Sequence, residues 1–153
     1  MKLLTRATVG IAIAAAIAAT SPGALAAQDH GPVIEYRQSV MDAFRTHMGG
    51  VNAATSGTAP MGHARYHAVA FHEMAMALAN VFPQGSMSDD SRALAAIWEN
   101  RDDFMNKVSD IQGAAQRLVA AAESGNPETI GAAVTAVQGT CRGCHTTYRG
   151  PAR

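Results

Sequence analysis

The sequence predicts an all-α protein that folds as an antiparallel four-helix bundle. Glycine and alanine are plentiful, aromatic residues make up only 5%, and runs of β-branched residues are absent. Apolar residues recur at helical spacing in four stretches, which short segments containing Gly or Pro separate. Four amphipathic helices joined by short loops pack as an antiparallel bundle with axes about 20° apart. The core of such a bundle is a place where a cofactor can be held.

The first 27 residues have the pattern of a secretory signal peptide. Lys2 and Arg6 form a basic start, residues 9–19 are apolar, and Ala24-Leu25-Ala26 is a cleavage site of the small-x-small type. The apolar run is too short for a membrane span. The sequence therefore predicts an exported chain whose single folded domain comprises residues 28–153.

The charge balance of the folded domain excludes two classes of partner. The whole chain has 12 basic and 12 acidic residues. Removing Lys2 and Arg6 leaves 10 basic residues against 12 acidic ones. A slightly acidic domain argues against binding to nucleic acid or to an anionic membrane surface, and no further segment is apolar enough for stable membrane insertion.

The first two predicted helices span residues 32–55 and 62–81. Pro32 suits a first-turn position because the amide hydrogen that it lacks would have no partner there. Residues 56–60 and 83–86, rich in Gly, Pro and Ser, end the two helices.

The third predicted helix begins near Ser88 or Asp89, whose side chains suit an N-cap. It runs to Ser124 and is long enough for a bend or a separate first turn near Asn100.

The fourth predicted helix begins at residues 126–128 and ends near Tyr148. Asn126 suits the N-cap, Pro127 the first helical position, and Glu128 the positive end of the helix dipole. The inner side of this helix carries the motif that indicates function.

That motif is Cys141-Arg142-Gly143-Cys144-His145. Two thiols three positions apart, followed by a histidine, form the attachment pattern of a c-type haem. Residues three apart share one helix face, so both sulfurs can form thioethers at one edge of a porphyrin. The imidazole of His145 is then the proximal iron ligand. The motif therefore predicts one covalent haem c in the bundle core.

Two other interpretations of the motif fit the sequence less well. A redox disulfide of the Cys-x-x-Cys type is expected beside a βαβ pattern, which the sequence lacks. A structural zinc site needs four ligands, and the chain has no second cysteine pair. Haem attachment in bacteria takes place outside the cytoplasm, so the motif agrees with the leader and predicts a periplasmic protein.

The chain resembles the class II cytochromes c, which comprise cytochrome c′ and its low-spin relatives. The resemblance extends over the whole predicted domain. Its most specific feature is the motif close to the C-terminus, followed by Tyr148 and Arg149. The other segments that carry it are residues 36–41, 81–86 and 96–98.

The resemblance implies roles for three residues of the first helix. Arg37 and Gln38 are expected against the haem and its propionates, and a guanidinium pairs well with a carboxylate. Met41, one helical turn after Arg37, is expected over the distal side of the haem. In low-spin members a methionine at this position binds the iron, whereas in high-spin members the iron is five-coordinate. The resemblance also implies a possible homodimer through the first two helices.

The sequence leads to one main functional prediction and two alternatives. The main prediction is a periplasmic electron carrier whose haem iron is bound by His145 and Met41. The sequence does not identify its redox partners. We do not expect an enzyme, since the sequence shows no Ser/His/Asp set and no paired carboxylates of the kind that catalysis uses. The first alternative is a high-spin cytochrome c′ that binds nitric oxide or carbon monoxide. The second is a metal-binding helical module that uses His63 and His67, which are four residues apart.

Overall fold

The computed structural model describes residues 29–151, and this part of the chain is built from helices. The predicted signal peptide lies outside the described residues and stays a prediction. The helices are α1 (Gly31–Thr55), α2 (His63–Ala77), a 3₁₀ turn (Leu78–Val81), α3 (Ala96–Glu99), α4 (Arg101–Ser124) and α5 (Pro127–Tyr148). The long helices α1, α2, α4 and α5 form the bundle, which confirms the predicted fold class. No helix among residues 29–151 is long and apolar enough to cross a membrane.

The helix ends follow the local sequence signals. Pro32 lies in the first turn of α1. Gly125 ends α4 in the left-handed conformation with φ of 63°, which glycine adopts without steric cost. Asn126 caps α5 through its side-chain oxygen, which accepts the backbone N–H groups of Glu128 and Thr129. The predicted start of the fourth helix is therefore confirmed.

The predicted start of the third helix is wrong, because residues 88–95 are not helical. Ser88 accepts the N–H of Asp90 and forms a local turn instead of a cap. The backbone of the following residues pairs with the end of α5, through Leu94 N–H to the Tyr148 carbonyl at 3.1 Å. Tertiary partners thus satisfy backbone groups that a helix would have satisfied internally. The break near Asn100 is confirmed, since α3 ends and α4 begins on either side of it.

The core is densely packed on one side of the bundle and open on the other. Helix α4 packs against α2 and α5, and α1 packs against α2. Small, fully buried side chains such as Ala64, Ala68 and Ala115 let these backbones approach closely. Helices α1 and α5 touch each other much less. The space between them forms a cavity.

Candidate cofactor site

A cavity of about 860 Å³ lies between α1, α4 and α5. This volume is in the range of pockets that hold small molecules and cofactors. The six predicted site residues all line it, although they come from opposite ends of the chain. They are Arg37, Gln38, Met41, Cys141, Cys144 and His145.

Helix α5 supplies one wall with the two thiols and the imidazole. Cys141 and Cys144 are partly buried free cysteines, and His145 lies at the exposed rim. Burial raises the pKa of both thiols, so both are protonated at neutral pH. Burial, followed by the positive charges of Arg149 and Arg92, lowers the pKa of His145. The ring is therefore neutral at neutral pH, which is the form that binds iron.

The end of this wall is anchored by contacts that the sequence analysis did not predict. Tyr148 is buried, and its hydroxyl donates to Asp103 Oδ2 on α4 at 2.6 Å. Arg92 donates through Nε to the Gly150 carbonyl at 2.9 Å, and Gly150 N–H donates back to the Arg92 carbonyl at 2.8 Å. These contacts hold the segment after His145 against residues 92–94. Local sequence patterns cannot predict these contacts, because the two partners of each are far apart in sequence.

Helix α1 supplies the opposite wall, with the buried cation Arg37. Its side chain is only 4% exposed. Nη1 donates to Ser86 Oγ at 2.9 Å and to the Val81 carbonyl at 3.3 Å. Nη2 donates to the Ser86 carbonyl at 2.9 Å and to Ser91 Oγ at 2.8 Å. Burial lowers the pKa of Arg37, and all four of these acceptors are uncharged.

Ser86 and Ser91 position Arg37, and the sequence analysis did not predict this contact. Both are buried, and together they hold the Arg37 guanidinium against residues 81–91. The guanidinium also lies 4.9 Å from the ring centroid of Phe82, at cation–π distance. Both serines lie in a loop rich in turn residues, so their sequence context indicates a turn rather than a buried contact.

Gln38 and Met41 complete the α1 wall. Gln38 is exposed, and its Nε2 donates to the Asp90 carbonyl at 2.9 Å. Met41 is partly buried and packs against the core. The cavity is thus bounded by two thiols and an imidazole on one wall and by a buried cation and a thioether on the other. This set of groups suits a haem c, because the thiols and the imidazole can bind it and the cation can pair with its propionates.

The histidines of α2 lie away from this cavity and do not line it. His63 is exposed. His67 is partly buried and contacts His47 of α1 through a 3.1 Å approach of their Nδ1 atoms.

Comparisons with known proteins agree on one family. The family model described as "Cytochrome C'" matches residues 32–149. A cytochrome c′ of Pararhodospirillum photometricum is 33% identical over 118 residues, which cover 76% of this chain and 94% of that protein. A cytochrome c′ of Rhodospirillum rubrum is 32% identical over 139 residues, covering 90% and 95%. The solved nitric oxide complex of a cytochrome c prime mutant from Alcaligenes xylosoxidans superposes with a TM-score of 0.71 at 25% identity, covering 80% of this chain and 97% of that one.

These matches contradict the prediction of an electron carrier with Met41 as a sixth ligand. The family model and both relatives are cytochromes c′, the group to which the first alternative belonged. Met41 lines the cavity. The resemblance implied its distal position, and its i, i+4 spacing from Arg37 places both residues on one helix face. A methionine that packs at the cavity and one that binds iron share that spacing, so the pattern could not separate them.

Proposed function

The chain belongs to the cytochrome c′ family, and on this premise we propose that it binds nitric oxide or carbon monoxide at a five-coordinate haem iron. Members of the family hold one covalent haem c. The observation that carries the proposal is a group of apolar side chains on the α1 wall, which lines the same cavity as His145. Three of the α1 residues that line the cavity are Met41, Phe44 and Met48.

The α5 wall provides the attachment. Cys141 and Cys144 would form the two thioethers, and the neutral imidazole of His145 would be the single protein ligand of the iron. A haem held by these residues would supply an iron that can bind a diatomic gas. Arg149 and Arg92 act on His145 electrostatically and favour its neutral form.

The α1 wall selects what can reach that position. Bringing a charged ligand against Met41 and Phe44 would remove its water without replacing the lost hydrogen bonds. Nitric oxide and carbon monoxide are small and neutral, so they lose little hydration free energy when they enter an apolar pocket. Met41 occupies part of this space and limits the size of the ligand.

Arg37 and Gln38 would hold the haem propionates. A guanidinium has five N–H donors, and the four on Nη1 and Nη2 match the four hydrogen bonds described above. Among residues 29–151 this leaves the Nε–H of Arg37 for a propionate oxygen. The amide of Gln38 has one further N–H for the same purpose. A propionate would also supply the negative charge that the acceptors around Arg37 lack.

The remaining features of the proposal follow from the sequence and from the family. The predicted signal peptide would direct the chain to the periplasm, and the α1–α2 face would form a homodimer. The protein would act as a carrier rather than as an enzyme.

Absorption spectra of the haem-loaded protein, with and without carbon monoxide, test this function. We expect a high-spin ferric iron and direct binding of carbon monoxide to the ferrous protein. Met41→Ala should leave the iron high-spin and speed carbon monoxide binding by about tenfold, equivalent to about 1.4 kcal/mol off the barrier.

Met41→Leu is the matched variant, because it keeps the volume and removes the sulfur. It should leave the spin state unchanged and alter the binding rate much less than Met41→Ala. A low-spin wild type that becomes high-spin in both variants would contradict the proposal.

A further inference from the structure

Two histidines on neighbouring helices face each other away from the haem cavity. His47 of α1 and His67 of α2 have their Nδ1 atoms 3.1 Å apart and their ring centroids 5.3 Å apart. We propose that this pair is a site for a divalent transition-metal ion of the zinc class, which links α1 to α2. The proposal is independent of the haem and of the gas-binding function.

The distance between the two nitrogens suits a shared metal ion. Zinc–imidazole bonds are about 2.0–2.1 Å long, so two of them meeting at about 100° place the nitrogens about 3.1 Å apart. In the metal-free protein one Nδ1 carries the proton of the hydrogen bond and the other accepts it. Metal binding moves that proton to Nε2 of the same ring, so two neutral rings release no net proton.

The ring of His67 is held in place by its contact with α1. Gly50 lies one turn after His47 on α1, and a Cβ at position 50 would overlap the His67 ring. Only glycine leaves room for the ring there. Both histidines are partly buried, so their side chains lose less conformational freedom when a metal binds.

The surroundings of His67 favour the neutral, ligating form of its ring. Burial lowers the pKa of His67, and the neighbouring His47 and His63 lower it further. At neutral pH the ring is therefore uncharged and its lone pair is available. His63 lies one helical turn before His67, a spacing at which two histidines can share a metal.

No group of three or more His, Cys, Asp or Glu side chains within residues 29–151 is already arranged around a metal position. The site therefore has two positioned ligands, His47 and His67. Water, or His63 after rotation of its exposed side chain, completes the coordination. Such a site binds reversibly, unlike a closed structural zinc site with four protein ligands.

Zinc titration of the haem-loaded full chain by isothermal calorimetry tests the site. We expect one zinc ion per chain, with at least about tenfold weaker binding in His47→Gln and in His67→Gln. His72→Gln on the same helix and His30→Gln before α1 are the matched controls and should bind as the wild type does. Zinc should also raise the unfolding temperature of the wild type and the controls but not of the two site variants.

Gly50→Ala provides a variant that retains both histidines. It displaces the His67 ring, so it should weaken zinc binding even if the helix itself becomes more stable. Retained haem absorption and helical circular dichroism establish that each variant is folded.

Three results would overturn the proposal. The first is unchanged zinc affinity in His47→Gln. The second is a stoichiometry of one zinc per two chains, which would place the site between molecules. The third is equal weakening by His72→Gln, which would indicate scattered surface binding.

Discussion

The two walls of the cavity are built in different ways. On α5, the predicted haem attachment and proximal ligand come from five consecutive residues on one helix. On α1, the position of Arg37 depends on Ser86 and Ser91, which are 49 and 54 residues away in sequence. The α5 wall is therefore a local chemical motif, whereas the α1 wall is a product of tertiary packing.

This difference indicates what a substitution does on each side. A change in the α5 motif removes a reacting atom and leaves most of the packing in place. A change at Arg37 leaves acceptors buried without their donor, which costs folding free energy. We therefore expect α5 variants to lose the cofactor and α1 variants to lose stability.

The largest expected effect comes from the α5 wall. Replacing both Cys141 and Cys144 with Ala should abolish covalent haem attachment, because no other cysteine exists in the chain. Mass spectrometry of the denatured protein should show the mass of the chain without haem. Gly139→Ala is the control on the same helix, since its added Cβ meets nothing within 4 Å and the haem should stay attached. Covalent haem in the double variant would disprove the assignment of the thioethers.

The next largest effect is expected on the α1 wall. Arg37→Lys should lower the free energy of unfolding by about 3 kcal/mol, because one ammonium cannot replace the planar donor set that spans Ser86 and Ser91. The midpoint of urea unfolding measures this change. Gln38→Ala is the neighbouring control, and it should cost less than about 1 kcal/mol because its hydrogen bond to Asp90 is exposed. If both variants lost the same free energy of unfolding, the buried contacts of Arg37 would contribute no more than the exposed contact of Gln38.

The smallest expected effect concerns the anchor of the α5 wall and depends on pH. Burial and the hydrogen bond to Asp103 raise the pKa of Tyr148 from 10.0 to about 12. As pH rises, the Tyr148 hydroxyl therefore loses its proton in the unfolded chain before it does so in the folded one. Its contribution to the free energy of unfolding is complete below pH 10 and disappears as pH rises toward 12.

Tyr148→Phe should accordingly cost about 1 kcal/mol at pH 8 and progressively less between pH 10 and 12. Urea unfolding of both proteins across this range measures the difference. A constant difference between the two proteins at every pH would contradict the assigned hydroxyl contact. Tyr66→Phe is a suitable control, because Tyr66 is 67% exposed on α2.

Several structural features could be predicted because their causes are local. Asn126 and Pro127 begin α5 through contacts within the same turn, and Pro32 begins α1 in a similar way. The predicted helix over residues 88–95 was wrong because its Ser and Asp signals suit turns as well as caps. Its backbone pairs instead with residues 148–150, and no local pattern contains that information.

The four-helix class, the family resemblance and the segment able to hold a covalent haem could all be predicted from the sequence alone. These depend on helical periodicity and on the spacing of reactive groups along one helix, which neighbouring residues specify. Three contacts became visible only in the folded chain. Arg37 is buried against Ser86 and Ser91. The Tyr148 hydroxyl donates to Asp103, and His67 contacts His47. These contacts join residues far apart in the chain, and their geometry exists only once the helices have packed.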